Sequence, residues 1–108
     1  MEVFTYRGGQ LFAEDVAVAE LAERYGTPLF IYSRTYIQTH FRALKDALAE
    51  LKPLVCYAVK VNSNAAVIAT LAAEGAGADV VSAGELARAR RAGIPADKIT
   101  FAGVGKTE

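Results

Sequence analysis

Short apolar runs alternate along this chain with segments of helical periodicity, and that alternation limits the possible folds more than any other feature. The runs Leu29–Tyr32, Leu54–Lys60, Asp79–Ser82 and Ile99–Ala102 are strand-length and apolar on both faces, as strands buried between two layers are. Between the first two, Ile37, Phe41, Leu44, Leu48 and Leu51 step by four, three, four and three, leaving Arg42, Lys45, Asp46 and Glu50 for the opposite face. Ser33 is placed to cap this helix and Pro53 lies just past its end. Asn62-Ser63-Asn64 then precedes a helix over 65–74 closed by Gly75, and a second helix over 83–92 ends at Gly93. Strands separated by single helices read as a parallel α/β sheet with right-handed crossovers.

Upstream, Val3–Tyr6 and Leu11-Phe12 flank the turn sequence Arg7-Gly8-Gly9-Gln10 and predict a small hairpin. Asp15 is placed to cap a helix whose apolar residues are Val18, Leu21, Ala22 and Tyr25, stopped by Gly26 and Pro28. The expected organisation is therefore a hairpin and helix over 1–26 and the first βα units of a larger sheet over 27–108. Thr107 has the character of an N-cap and Glu108 that of a first-turn acid, so a further helix is expected to begin there. Four strands would leave an open edge, which closure into a barrel removes.

Composition narrows the function classes. The chain has 108 residues, 53% of them hydrophobic, and twelve basic residues balance twelve acidic ones. Disorder is excluded by the hydrophobic content, and no net field exists to attract nucleic acid. The single Cys56 cannot form an internal disulfide, and no Cys/His cluster has the spacing of a zinc site, so no metal is expected. Neither a signal peptide nor an apolar run of membrane-spanning length is present, and a cytoplasmic protein without membrane contact is the expectation.

The most informative single residue is Lys60, which closes an otherwise apolar strand. Alternation would point Val55, Tyr57 and Val59 to one face and Cys56, Ala58 and Lys60 to the other, so that the lysine shares its face with small residues. At the C-terminal end of a barrel strand such a lysine has room beside it for a bound molecule. Ser82, ending the third strand, is both a candidate for that pocket and the N-cap of the next helix. Glu85 is read as a partner of the helix dipole, His40 as a residue of the polar helix face, and Tyr57 as core. Gly105-Lys106-Thr107 lacks the first glycine of a phosphate-binding loop, where Thr100 stands, and Gly75-x-Gly77 lacks the third glycine of a dinucleotide fingerprint, where Val80 stands.

The string Tyr57-Ala58-Val59-Lys60-Val61-Asn62 resembles the Tyr-Ala-x-Lys-x-Asn segment of the alanine racemase-like pyridoxal-phosphate enzymes. Its flanks are similar to those of the diaminopimelate decarboxylases: Tyr25-Gly26-Thr27-Pro28-Leu29-Phe30-Ile31-Tyr32, Gly77-Ala78-Asp79-Val80-Val81-Ser82-Ala83-Gly84-Glu85-Leu86, Ala92-Gly93-Ile94-Pro95 and Gly103-Val104-Gly105-Lys106-Thr107. The resemblance implies the N-terminal part, about four strands, of a pyridoxal-phosphate-binding (β/α)8 barrel, with Lys60 as the Schiff-base lysine. It implies that Asp79 lies close to that lysine and the cofactor and favours a protonated nitrogen there, and it admits Ser82 as a further cofactor contact. It also implies an amino-acid substrate, a homodimer in the full-length protein, and no activity of these residues alone. A related ornithine, arginine or carboxynorspermidine decarboxylase, or a non-catalytic cofactor- or partner-binding protein of the same fold, is the alternative. Val61 stands where the family more often has alanine, and Ala83 where it often has glycine.

Overall fold

Alternating strands and helices organise the second of two units into which the chain divides, Met1–Ile37 and Gln38 onward. The computed structural model describes residues 1–106. The cap expected at Thr107 and Glu108 lies outside them.

In the first unit, β1 (Phe4–Arg7) and β2 (Gln10–Ala13) pair antiparallel, Phe4 opposite Ala13 and Arg7 opposite Gln10, and β3 (Val16–Ala17) extends the ladder from β2. Gly8 and Gly9 take left-handed backbone angles, φ +56° and +78°, which makes the tight connection possible without strain. The predicted hairpin is present, with a third strand that the sequence pattern did not suggest. Helix α1 (Val18–Tyr25) follows and stops at Gly26, as predicted. Its cap differs: Ala17 occupies the N-cap without a side-chain bond, and Asp15 pairs with Arg7 at 3.2 Å instead. The predicted first barrel strand at Leu29–Tyr32 forms no ladder among the described residues, since a strand exists only where a neighbour supplies its hydrogen bonds. Ser33 caps α2 (Arg34–Ala47) as expected, its hydroxyl oxygen accepting the Tyr36 N–H at 2.9 Å. Glu14 supports that cap by accepting from the Ser33 hydroxyl and from the Thr35 N–H.

In the second unit, β4 (Cys56–Ala58), β5 (Gly77–Val80) and β6 (Ile99–Phe101) form a parallel sheet in the order β4-β5-β6. Helix α3 (Ala65–Ala73) connects the first pair and α4 (Ala83–Arg91) the second. Both crossovers end alike. After α3 the Gly75 N–H bonds the Ala72 carbonyl and the Ala76 N–H that of Leu71; after α4 the Gly93 N–H bonds Arg90 and the Ile94 N–H bonds Ala89. These are Schellman closures that require a left-handed residue, supplied by Gly75 at φ +90° and Gly93 at φ +102°. Each delivers a buried apolar residue, Ala76 or Ile94, into the core on the way to the next strand.

That core consists of Val59, Ile68, Ala78, Val80, Ala89 and Ile94, with Tyr57, Ala72, Ala92, Ile99 and Phe101 packed around it. It lies on the side of the sheet that the helices cover. Alternation along the strands then leaves Cys56, Ala58, Gly77, Asp79 and Thr100 on the opposite face. Helix α2 is shorter than its apolar stripe: it ends at Ala47, and Ala49–Leu51 form a 3-10 turn closed by Lys52 at φ +48°. Phe41 is the buried residue of that stripe, while Leu44 and Leu51 remain exposed.

Candidate functional site

Lys60 lies just beyond the C-terminal end of β4, within a 3-10 turn over Val59–Val61. The predicted strand over 54–60 is thus shorter, because the chain turns to reach α3 and the backbone at Val59–Val61 bonds within itself instead of with β5. The residues around the lysine are fixed on both sides. Val59 is wholly buried in the core. Beyond the turn, the Tyr57 hydroxyl donates to the Asn62 carbonyl at 2.8 Å and Arg88, on α4, donates to the Ser63 carbonyl at 3.1 Å. Asn62 Oδ1 accepts the Asn64 N–H, and Asn64 Oδ1 accepts the Ala66 N–H as the N-cap of α3, as predicted for this loop. Between these anchors Lys60 is exposed.

Asp79 is the third residue of β5 and not its first, opposite Ala58 in β4 and Thr100 in β6. It is half-buried, on the face away from the core, and one carboxylate oxygen accepts a hydrogen bond from the Thr100 hydroxyl at 3.2 Å. Gly77, two residues earlier, shares that face at a place where a methyl group would run into the Lys98 carbonyl and the Cys56 sulfur. Cys56, Ala58 and Gly77 therefore keep the face low beneath Asp79.

Ser82 follows β5 and is the N-cap of α4, its oxygen accepting the Glu85 N–H at 3.1 Å. Glu85 does more than complement the dipole: its carboxylate accepts the Val81 N–H at 3.2 Å, closing a reciprocal cap at the end of β5. Lys60, Asp79 and Ser82 thus lie at the same end of the sheet, on neighbouring strands, as parallel pairing requires. Val81, Ser82, Ala83, Leu86, Phe101, Val104, Gly105 and Lys106 line an open groove of about 500 Å³ at that end. His40 is an exposed residue of α2. Among the described residues no cluster of His, Cys, Asp and Glu could hold a metal ion, and no helix is long and apolar enough to cross a membrane.

Three contributors were missed in the sequence: Arg88 as a brace, the hydroxyl of Tyr57, and Thr100. Only Thr100 carried a usable signal, as the polar centre of the alternating Ile99-Thr100-Phe101, in phase with Asp79. Arg88 looked like any basic residue late in a helix, and the bond of Tyr57 depends on how the chain turns after Ala58.

The arrangement offers a primary amine on a braced turn, a carboxylate on the adjacent strand and a floor of small side chains. A planar aldehyde cofactor held by a lysine fits these residues, because the amine is accessible and the face beside Asp79 carries no bulky group. Residues 34–108 match the family model described as pyridoxal-dependent decarboxylase, pyridoxal binding domain. A diaminopimelate decarboxylase from Pseudomonas fluorescens is 56% identical over 107 residues, which cover 99% of this chain and 26% of that protein. Among solved structures, AQ1208 from Aquifex aeolicus superposes with a TM-score of 0.90 at 48% identity, covering 97% of this chain and 26% of the other. A diaminopimelate decarboxylase from M. jannaschii in complex with L-lysine gives 0.90 at 36% identity, covering 98% and 26%. The chain spans about a quarter of the length of each of these relatives. With more than half of its residues matched by the family model and this agreement in three dimensions, the chain belongs to the pyridoxal-dependent decarboxylases and folds as part of their pyridoxal-binding α/β barrel.

Proposed function

We propose that this chain supplies the lysine-bearing βα units of a pyridoxal-phosphate-dependent diaminopimelate decarboxylase, which converts meso-2,6-diaminopimelate to L-lysine and carbon dioxide in lysine biosynthesis. The observation that carries the reading is the placement of Lys60: an exposed amine on a turn held by Val59, Tyr57 and Arg88, at the C-terminal end of a parallel sheet, where active sites of such barrels are built.

Pyridoxal phosphate, when bound, supplies the electron sink that lets an amino acid lose its α-carboxylate as carbon dioxide. The chain's own residues prepare for it. Lys60 would provide the nitrogen that holds the cofactor and a group able to move a proton near the reacting carbon. The bracing of Asn62 and Ser63 limits the arc through which that nitrogen can move, so less freedom is lost when it engages a partner. Asp79 would present its carboxylate to a cofactor seated on the open face of the sheet. Ser82 uses an oxygen lone pair to cap α4 and keeps its hydroxyl proton for a cofactor group, and Ala58 and Gly77 would leave space for the ring. The substrate is an amino acid, the enzyme a cytoplasmic homodimer.

The decisive experiment is hydride reduction of the holoenzyme carrying this segment, followed by peptide mapping. The label is expected on Lys60, and label on Lys45, Lys52, Lys98 or Lys106 overturns the assignment. The same holoenzyme is expected to release carbon dioxide from diaminopimelate and not from ornithine.

A further inference from the structure

We propose that Thr100 is a positioning residue that fixes the carboxylate of Asp79 on the open face of the sheet. The inference rests on the reading of Asp79 as a residue that faces the cofactor, and it identifies what holds that residue in place. Ala58, Asp79 and Thr100 are in register across β4, β5 and β6, so their side chains stand in one row at one level of the sheet. On the β4 side Asp79 meets the methyl group of Ala58, which can donate nothing. On the β6 side it meets a hydroxyl.

The Thr100 Oγ1 lies 3.2 Å from Asp79 Oδ1 and 3.4 Å from the Ala78 carbonyl oxygen. A hydroxyl has one proton to give, and the nearer and charged acceptor is the stronger one, so the proton goes to the carboxylate. Among the described residues no donor is found for Asp79 Oδ2. One oxygen is therefore tied to β6 while the other is left for a group arriving at the open face. Threonine suits this task better than serine in one respect: branching at Cβ stiffens χ1, so that the hydroxyl is held toward its neighbour at small entropic cost.

The test uses the holoenzyme that carries this segment, with two readouts other than turnover. These are the dissociation constant of pyridoxal phosphate and the fraction of Lys60 captured by hydride reduction at a fixed cofactor concentration. Thr100→Val keeps the shape and the branching and removes the hydroxyl. It is expected to weaken cofactor binding by about fivefold to tenfold and to lower the captured fraction in step, with an unchanged thermal midpoint. Thr100→Ser, which keeps the hydroxyl, is expected to stay within about twofold of the unsubstituted enzyme. Asp79→Ala should weaken binding at least as much, and Thr100→Val added to it should have no further effect.

The outcomes separate the two readings. If Asp79→Ala weakens cofactor binding and Thr100→Val does not, the role of Thr100 is overturned and that of Asp79 stands. If Asp79→Ala leaves binding unchanged, the reading of Asp79 fails and takes this inference with it. A Thr100→Val effect that persists undiminished beside Asp79→Ala, or a Thr100→Ser variant as weak as Thr100→Val, shows that the hydroxyl does not act through the carboxylate.

Discussion

The hydroxyl of Tyr57 donates to the main-chain carbonyl of Asn62 across 2.8 Å, so a residue on β4 reaches past the lysine turn and holds its far side. The ring of Tyr57 packs against the core. Its two ends therefore do different work: one packs among apolar side chains and the other closes a loop around the four residues Ala58–Val61, Lys60 among them. Replacing Tyr57 by Phe keeps the ring and removes the donor. The expected cost is about 0.5–1.5 kcal/mol in denaturant unfolding, the net value of a single hydrogen bond, together with faster amide exchange at Asn62–Asn64. Unaltered exchange there would mean that Arg88 and Asn64 suffice to hold the turn.

Gly77 is required by its neighbours and not by its backbone angles. Alanine at this position would drive a methyl group into the Lys98 carbonyl and to 2.8 Å from the Cys56 sulfur. Side chains can shift, but the Lys98 carbonyl belongs to the segment leading into β6, so the strands themselves must move apart. Gly77→Ala is expected to cost about 1–3 kcal/mol, the usual range for overpacking, measured by chemical denaturation. Because Asp79 and Thr100 sit on the same two strands, the variant should also lengthen their hydrogen bond, visible in a crystal structure.

Much of this architecture was legible in the sequence because it is local. The endings of α3 and α4 were written in Gly75 and Gly93, Ser33 announced the cap of α2, and the loop Asn62-Ser63-Asn64 that of α3. The faces of β4 followed from alternation alone, with Tyr57 and Val59 toward the core and Cys56 and Ala58 away from it. What failed depended on partners distant in the chain. Leu29–Tyr32 has the composition of a strand but lacks a ladder among the described residues, and Asp15 was drawn from its expected cap by the Arg7 guanidinium. For the candidate site, Lys60 was named from a motif and Asp79 and Ser82 from their places on the next strand and the family resemblance. Arg88 could not, since nothing in its own neighbourhood in sequence distinguishes an arginine that reaches Ser63 from one that faces water.

Ile68 carries the crossover between β4 and β5. It lies at the centre of α3, is fully buried, and touches the same cluster as Val59, the residue immediately before Lys60. Ile68→Ala is expected to lower unfolding stability by about 2–5 kcal/mol, the range for deleting a large aliphatic side chain from a core. The loss is read as a lower midpoint in chemical or thermal unfolding followed by far-UV circular dichroism. Retention of full helicity with a cooperative midpoint close to the parent would show that the cavity collapses.

Acid should destabilise the chain through two carboxylates whose titration is coupled to structure. Glu74, the C-cap of α3, accepts both Nε and Nη2 of Arg42, at 2.7 and 2.6 Å, and the Gln38 amide at 2.8 Å. The Arg42 hydrogen bonds hold its carboxyl below the usual glutamate range, opposed by partial burial. Glu14 is held low chiefly by the Ser33 hydroxyl and then by the Thr35 N–H. Each group thus has a folded-state pKa below its unfolded one. Its contribution is complete above the unfolded value, near pH 4.3 for an ordinary glutamate, and is lost as the pH falls from there through the depressed folded value. Stability should accordingly be flat from about pH 6 to 8 and fall below about pH 5. Glu74→Gln removes one of the two contributions, so its stability should be lower than the parent's at neutral pH and converge on it in acid. Added salt should narrow the gap at neutral pH, since the Arg42 side chain is largely exposed, 60% by area, and its attraction is open to screening. A gap between Glu74→Gln and the parent that is independent of both pH and salt would assign the effect of Glu74 to packing at the end of α3 and not to its charge.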